Sequence, residues 1–329
     1  MLSLVHAVGD GEEELLQQSL REEAPLSKLG LMALGGGVIM LSALLVSNLA
    51  GQDPWGGATL SVSSLQAAAA GAALALPLVW FRLHIWSPGA ADALPALADM
   101  HRQMESEAEP WLCRFDRGHL LAHAALEVLP MTMLLLPAAQ GGLCAGFNLY
   151  SSLLQQALFA SPVAAAASAS AAASASAGSA MPEGLGAVLA VLITATAAGV
   201  VHSLNSVGDE EEVEVVRDAV QNADRYYRLT AMEVGSTAAD AARASTAFKA
   251  VAVSWMEARE DASSLAGSVA FLDVVCISAI WHLTGDLAAA ATAALAVAAV
   301  DYHYLHDAAL RGGARRGGGK AAKSTGESR

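Results

Sequence analysis

The sequence predicts an all-α protein: a polytopic bundle of about six transmembrane helices with a polar helical-hairpin insert. Three observations predict it. Of 329 residues, 54% are apolar and 15% charged, and the mean hydropathy is +0.43, far from the balance of a soluble domain. Several mostly apolar runs reach about 20 residues, enough to cross a bilayer as helices. Lys and Arg are absent from 51–61, 139–184 and 284–286, the segments that six spans place on one side.

Residues 10–23 (DGEEELLQQSLREE) form a short polar helix outside the membrane. Met1 to Glu23 is acidic, unlike a secretory or transit peptide. The first span runs from Leu29 to Ala50, and lipid tolerates its three glycines at 35–37. The second runs from Val62 to Phe81. Trp80, Arg82, His84 and Trp86 at its end read as an interfacial belt with a snorkelling cation. Residues 87–117 mix both charge signs and read as surface. The third span is His119 to Ala138. The segment 143–159 reads as a membrane-dipping helix or a seventh hydrophobic segment, but a seventh span would break the charge asymmetry, so six are preferred. Residues 163–180 alternate Ala with Ser and read as a low-complexity loop.

Leu185 to Leu204 is the fourth span. In the insert, Val213, Val216, Val220, Ala223 and Tyr227 recur at spacings of three and four, which predicts an amphipathic helix. A second helix after Ser236 places Ala241, Ser245, Phe248, Ala252 and Trp255 on one face, so the two form a hairpin about Gly235. The outer face of the first helix carries Glu211, Glu214, Asp218, Arg225 and Arg228, a mixed-charge surface suited to a transient partner. Leu265 to Leu283 is the fifth span, Thr284-Gly285-Asp286 a tight turn, and Leu287 to Leu305 the sixth span. The domains are therefore a polar segment 1–28, a membrane bundle 29–206, the insert 207–262, a C-terminal transmembrane hairpin 263–306 and a basic disordered tail 307–329. By the positive-inside rule both termini and the insert face the cytoplasm, or the stroma of a plastid.

A net charge of −14 argues against nucleic acid, whose phosphates need clustered Lys and Arg. Cys113, Cys144 and Cys276 are far apart and fit no metal pattern. No nucleophile-elbow motif and no phosphate-binding glycine loop is present. The polar residues within spans are His119, His123, Glu127, His202, Asp273 and Asp301. His123 and Glu127 lie four apart on one helix face and could bind a metal or exchange a proton. Asp273 is mid-span with no basic neighbour in sequence, so it is expected to be protonated or bonded to another helix. His123, Glu127 and Asp273 are thus the candidate cofactor-binding residues, although no cofactor and no metal is expected.

The third span, with its single carboxylate, resembles the signature helix of the CAAX-protease and bacteriocin-processing (CPBP/Abi) membrane family. That signature has two adjacent glutamates, then Arg-Gly and an apolar run. Here Leu126 takes the first Glu, Glu127 the second, Met131 the Arg and Thr132 the Gly, and Met133 to Ala138 matches the apolar run. Thr284-Gly285-Asp286-Leu287 resembles the family's late turn, but the next helix lacks the family's His and Asn. The chain is also similar to the plant and algal branch of this family, the Balance of Chlorophyll Metabolism type, over 22–30, 80–88, 109–120, 126–135, 213–229 and 283–291.

The resemblance implies a catalytically degenerate, non-enzymatic membrane protein of the chloroplast thylakoid. It would regulate or scaffold the balance between chlorophyll synthesis and breakdown by protein binding. The implied partners are the activator of magnesium chelatase and the magnesium-dechelating enzyme. Two alternatives stand beside it. One is an active intramembrane protease using Glu127 and His202. The other is a tetrapyrrole-binding protein with a His or Glu as axial magnesium ligand.

Overall fold

The computed structural model describes residues 13–159, 185–206, 210–235 and 237–326. Every regular element among them is helical, as the sequence predicts. In order these are α1 (Glu13–Glu22), α2 (Pro25–Leu49), α3 (Val62–Leu74), α4 (Leu76–Ile85), α5 (Pro88–Ala93), α6 (Pro95–Leu112) and α7 (Arg117–Met133). A π-helical segment, Leu134–Gln140, joins α7 to α8 (Gly141–Phe159). Then come α9 (Leu185–Ser206), α10 (Glu210–Val234), α11 (Ala238–Thr284) and α12 (Leu287–Gly326). Five helices are long and apolar enough to cross a membrane, or six if α3 and α4, bent by 41° where they meet, form one span. Pro77 explains the bend, because it lacks an N–H and its ring clashes with the preceding turn.

Three boundaries differ from the sequence reading. The third span does not end at Ala138: α7, the π segment and α8 run on without a loop. Pro137 sits inside the π segment, where the wider turn accommodates the missing donor that would otherwise break the helix. The segment 143–159 therefore continues the helix of the third span without a separate loop. The second insert helix and the fifth span are one helix of 47 residues, α11, because nothing between Glu260 and Leu265 is a helix breaker. The backbone of α12 is helical to Gly326, through most of the expected tail. The Ala/Ser-rich stretch 163–180, the first twelve residues and Ser236 lie outside the described residues.

The helices group into two compact units. The first comprises Met1–Leu83, Ala108–Ala197 and Leu272–Arg329; the second comprises His84–Glu107 and Ala198–Phe271.

In the first unit, small residues bring backbones together. On α2, Gly36, Ala43 and Ser47 are buried, while Leu34, Val38, Leu41, Leu45 and Leu49 point outward, the division expected when lipid covers the large side chains. A Cβ on Gly36 would lie 2.9 Å from the Leu126 carbonyl oxygen. Gly71 of α3 lies directly against the backbone of Ala289 on α12. Thr292 donates to the Ala68 carbonyl at 2.9 Å across the same contact. Met133, Leu136 and Leu287 close the core with Ala43, Ala138 and Ala290.

The two ends of this unit differ in the way the charge pattern requires. At one end, Ser64 donates to Asp286 Oδ2 at 2.6 Å, Trp281 Nε1 to the Gly56 carbonyl at 3.1 Å, and Gly141 abuts Gln52. Parts of the three segments without Lys or Arg therefore meet there. At the other end Lys28, only 1% exposed, donates to the carbonyls of Pro110 (2.6 Å) and Trp111 (3.1 Å). It caps the C-terminal end of α6, where carbonyls lack helical partners and a cation is favoured. Arg21 pairs with Glu109 at 2.7 Å beside it.

In the second unit the hairpin forms about Gly235, but Trp255, expected on the inner face of the second helix, is 37% exposed and carries the Arg259 guanidinium over its ring. Gly235 has φ +74°, a left-handed conformation suited to glycine after a helix end. The Thr237 hydroxyl then accepts from the Asp240 N–H at 3.2 Å and starts α11. Ala223 is buried and Val213, Val216, Val220 and Tyr227 are half-buried, the Tyr227 and Phe248 rings lie 6.2 Å apart, and Ala241, Ser245 and Ala252 of the second helix are buried. Asp224 accepts from Lys249 at 2.7 Å and Ser245 at 2.5 Å. The Lys249 bond, then the Ser245 bond, hold its carboxyl below the usual range. Gly199 and Gly267 let α9 and α11 cross closely, and Ser203 and Ser263 bond there at 2.8 Å.

Candidate intramembrane site

The site is built on the membrane-spanning part of the first unit. Arg82, near the end of α4, is 7% exposed. Its guanidinium donates to Asp273 of α11, and its Nη1 lies 3.6 Å from Asp301 Oδ2 of α12. Arg82 is therefore not the snorkelling interfacial cation that its position at a span end predicts. Two carboxylates on adjacent helices hold it inside, because attraction in a low-dielectric interior outweighs what the headgroup region offers a single cation. The same pair settles Asp273, whose partner lies 191 residues away in sequence.

The antiparallel run of α11 and α12 sets the depth. Asp273 precedes Thr284, and Asp301 follows Leu287, by about 16 and 21 Å of helix at 1.5 Å per residue. In a hydrocarbon layer of about 30 Å, both lie past the middle, toward the end that carries Lys28.

Glu127 projects from α7 and accepts a hydrogen bond from the Tyr302 hydroxyl, one residue beyond Asp301. His123 Nε2 is 3.8 Å from Glu127 Oε2, as the four-residue spacing predicts. The His123 ring is buried, edge-on to Tyr302 at 4.9 Å and to Phe115 at 5.5 Å. At the start of α7, the Asp116 side chain accepts from the His119 N–H at 2.8 Å. That bond holds the Asp116 carboxyl below its usual range.

A cavity of about 200 Å³ separates these helices. Arg82, Glu127, Asp273 and Asp301 form its charged wall, and Met131, Leu135 and Ile277 are part of its apolar wall. Met131 lines the cavity without bringing a charge. Two buried atoms on the charged wall have no hydrogen-bond partner, Arg82 Nε and Asp273 Oδ1. Among the described residues, no group of three or more His, Cys, Asp or Glu is arranged to hold a metal.

Of the residues singled out in sequence, His123 and Glu127 are brought together and Asp273 lines the cavity beside Glu127. His202 belongs to the second unit, so the pair Glu127 and His202 is divided between units. Glu214, Asp218, Arg225 and Arg228 are exposed on α10, and the Glu211 side chain lies outside the described residues. Sequence reasoning missed Arg82 and Tyr302. A tally of charges across all spans points to the arginine, because the half-buried acids Asp273 and Asp301 need a cation and few basic residues lie near a span.

Fold and site together define a multi-pass helical membrane protein with a charged cluster inside the bundle. Comparisons with protein-family models, with curated proteins and with solved structures find no match to this chain.

Proposed function

We propose that the protein is a non-catalytic, multi-pass regulator or scaffold of the thylakoid membrane that balances chlorophyll synthesis against breakdown by binding other proteins. The observation that carries the reading is the surroundings of Glu127. Activating water takes a base that is free to accept a proton, oriented by neighbouring charge. Here Leu126 and Met131 stand where the signature has its first acid and its arginine, and Tyr302 already occupies the Glu127 carboxylate. The nearby guanidinium, Arg82, is engaged by Asp273 and Asp301. The resemblance to the chlorophyll-balancing branch supplies the compartment and the partners, the magnesium chelatase activator and the magnesium-dechelating enzyme. The exposed mixed-charge face of α10 supports a transient protein contact.

The test uses the tagged full chain in plastid membranes. Wild type and Glu127→Gln are both expected to capture the two named partners, and neither to cleave a membrane peptide. Cleavage of a prenylated or membrane-peptide substrate by wild type, lost in Glu127→Gln, overturns the non-catalytic reading. Failure of both partners to co-purify overturns the chlorophyll-balancing one.

A further inference from the structure

We propose that Cys113 is oxidised by peroxide and that Lys28 captures its oxidised form, closing a reversible sulfur–nitrogen link between α2 and the turn ahead of α7. The link belongs to that junction and is independent of the regulator reading.

The pair begins with the lysine. Lysine is almost never fully buried unless paired, yet Lys28 is 1% exposed. Its ammonium has three donors. Two serve the carbonyls of Pro110 at 2.6 Å and Trp111 at 3.1 Å, and Cys113 Sγ lies 3.8 Å from the same nitrogen. The carbonyls explain why a cation sits at the end of α6. They do not explain the sulfur, which accepts hydrogen bonds only weakly.

The cysteine has the matching properties. Cys113 is half-buried, in the turn between α6 and α7, so a small oxidant can reach it. For its own proton it has long partners, the carbonyls of Pro110 at 3.7 Å and Arg21 at 3.9 Å. Redox-sensing cysteines are accessible, sit beside a cation and have a second group poised to resolve the oxidised form. Lys28 supplies both the cation and the resolving group. Reacting atoms about 3–3.5 Å apart are placed to react, and the flexible lysine stem can cover the remainder. Cys144 and Cys276 lie within membrane-spanning helices and serve as internal comparisons.

The oxidant is hydrogen peroxide. The thiol proton passes to solvent and the thiolate attacks one peroxide oxygen. The S–O bond forms, the O–O bond breaks, and the departing hydroxide takes a proton from the Lys28 ammonium, leaving water and an amine. Sulfur has lost two electrons and peroxide has gained them. The amine then attacks the sulfenic sulfur, the N–S bond forms and the S–O bond breaks. The second hydroxide leaves as water with another nitrogen proton. A thiol reductant returns the free amine and thiol.

The experiment treats the reduced full chain, in lipid nanodiscs at neutral pH, with hydrogen peroxide and then trypsin, and reads the peptides by mass spectrometry. Wild type should lose cleavage after Lys28. The peptides carrying Lys28 and Cys113 should travel as one species, lighter than their sum by two hydrogens. Dithiothreitol should restore both peptides and the cleavage. Cys144 and Cys276 should remain thiols at a peroxide dose that links most chains. Cys113→Ser should give no link. Lys28→Arg keeps a cation but lacks a nucleophilic amine, so dimedone should trap Cys113 there as the sulfenic acid. Should Lys28→Arg fail to fold, the wild-type link and its loss in Cys113→Ser decide.

Three results overturn the proposal. Dimedone trapping Cys113 in wild type while trypsin still cleaves after Lys28 means oxidation without capture. Cys144 or Cys276 oxidised as readily as Cys113 means that the lysine confers no selectivity. Cys113 unchanged by peroxide means that Lys28 caps α6 and does nothing more.

Discussion

Replacing Arg82 with Met removes the guanidinium that Asp273 and Asp301 share and keeps most of the apolar stem. The magnitude follows from the geometry. At an effective dielectric constant of about 20, opposite charges about 4 Å apart attract by about 4 kcal/mol. Arg82 has two such partners, one in direct hydrogen bond and one at 3.6 Å. Without it the two acids face each other, and breaking a buried pair by removing one partner costs about 3–5 kcal/mol. Proton uptake sets a ceiling. An acid that must take up a proton at pH 7 from an ordinary pKa near 4 costs about 4 kcal/mol, at 1.36 kcal/mol per unit. The single substitution should therefore destabilise by about 3–5 kcal/mol in detergent-induced unfolding from mixed micelles. Adding Asp273→Asn and Asp301→Asn should restore most of the loss, because a neutral replacement of a buried ionic cluster is often tolerated. A loss below about 1 kcal/mol, the value typical of an exposed pair, would refute the reasoning and return Arg82 to the interface.

Other outcomes follow from single contacts. Gly71→Ala should cost about 1–3 kcal/mol or more in the same assay, since its Cβ meets the Ala289 backbone, while Gly30→Ala, with nothing within 4 Å, should not destabilise. His101 stacks on Trp86 with ring centroids 4.0 Å apart and its Nε2 is buried and unpaired; burial lowers its pKa from 6.5 to about 4. The unfolded chain thus takes up this proton first as pH falls, so stability is full above about 6.5 and should drop by about 1–3 kcal/mol toward pH 4; melting curves of wild type and a pH-insensitive His101→Phe check it. Reversing Glu214 and Asp218 to Lys should spare folding but weaken partner capture, most at low salt because physiological salt screens beyond about 8 Å. Unchanged recovery in pull-downs at two salt concentrations would place recognition off α10.

Much of the architecture was legible because its causes are local. A span is an apolar run of sufficient length, so the membrane helices could be read residue by residue. The hairpin was legible for the same reason: a 3.6-residue stripe from Val213 to Tyr227 ends at a glycine able to take a positive φ. Boundaries were less legible. Pro137 reads as a terminator in isolation, yet a π segment carries the helix past it. The membrane edge near residue 263 marks a change of surroundings and not of backbone, so one helix crosses it.

The candidate site divides along the same line. His123 and Glu127 were visible as a pair because four residues of helix put them on one face. Tyr302 and Arg82 were not, because each meets its acid from another helix. By itself the sequence determined the all-helical class, the number of apolar runs and the clustering of the segments that lack Lys and Arg, all set by properties within a few turns of chain. Only the tertiary structure decided that Arg82 is interior, that Asp273 and Asp301 share it, and that Tyr302 engages Glu127. Those outcomes depend on which faces of distant helices meet, and that depends on where Gly36 and Gly71 let backbones approach. A charge at a span end looks the same in sequence whether lipid headgroups or two half-buried carboxylates await it, and the packing of its neighbours makes the choice.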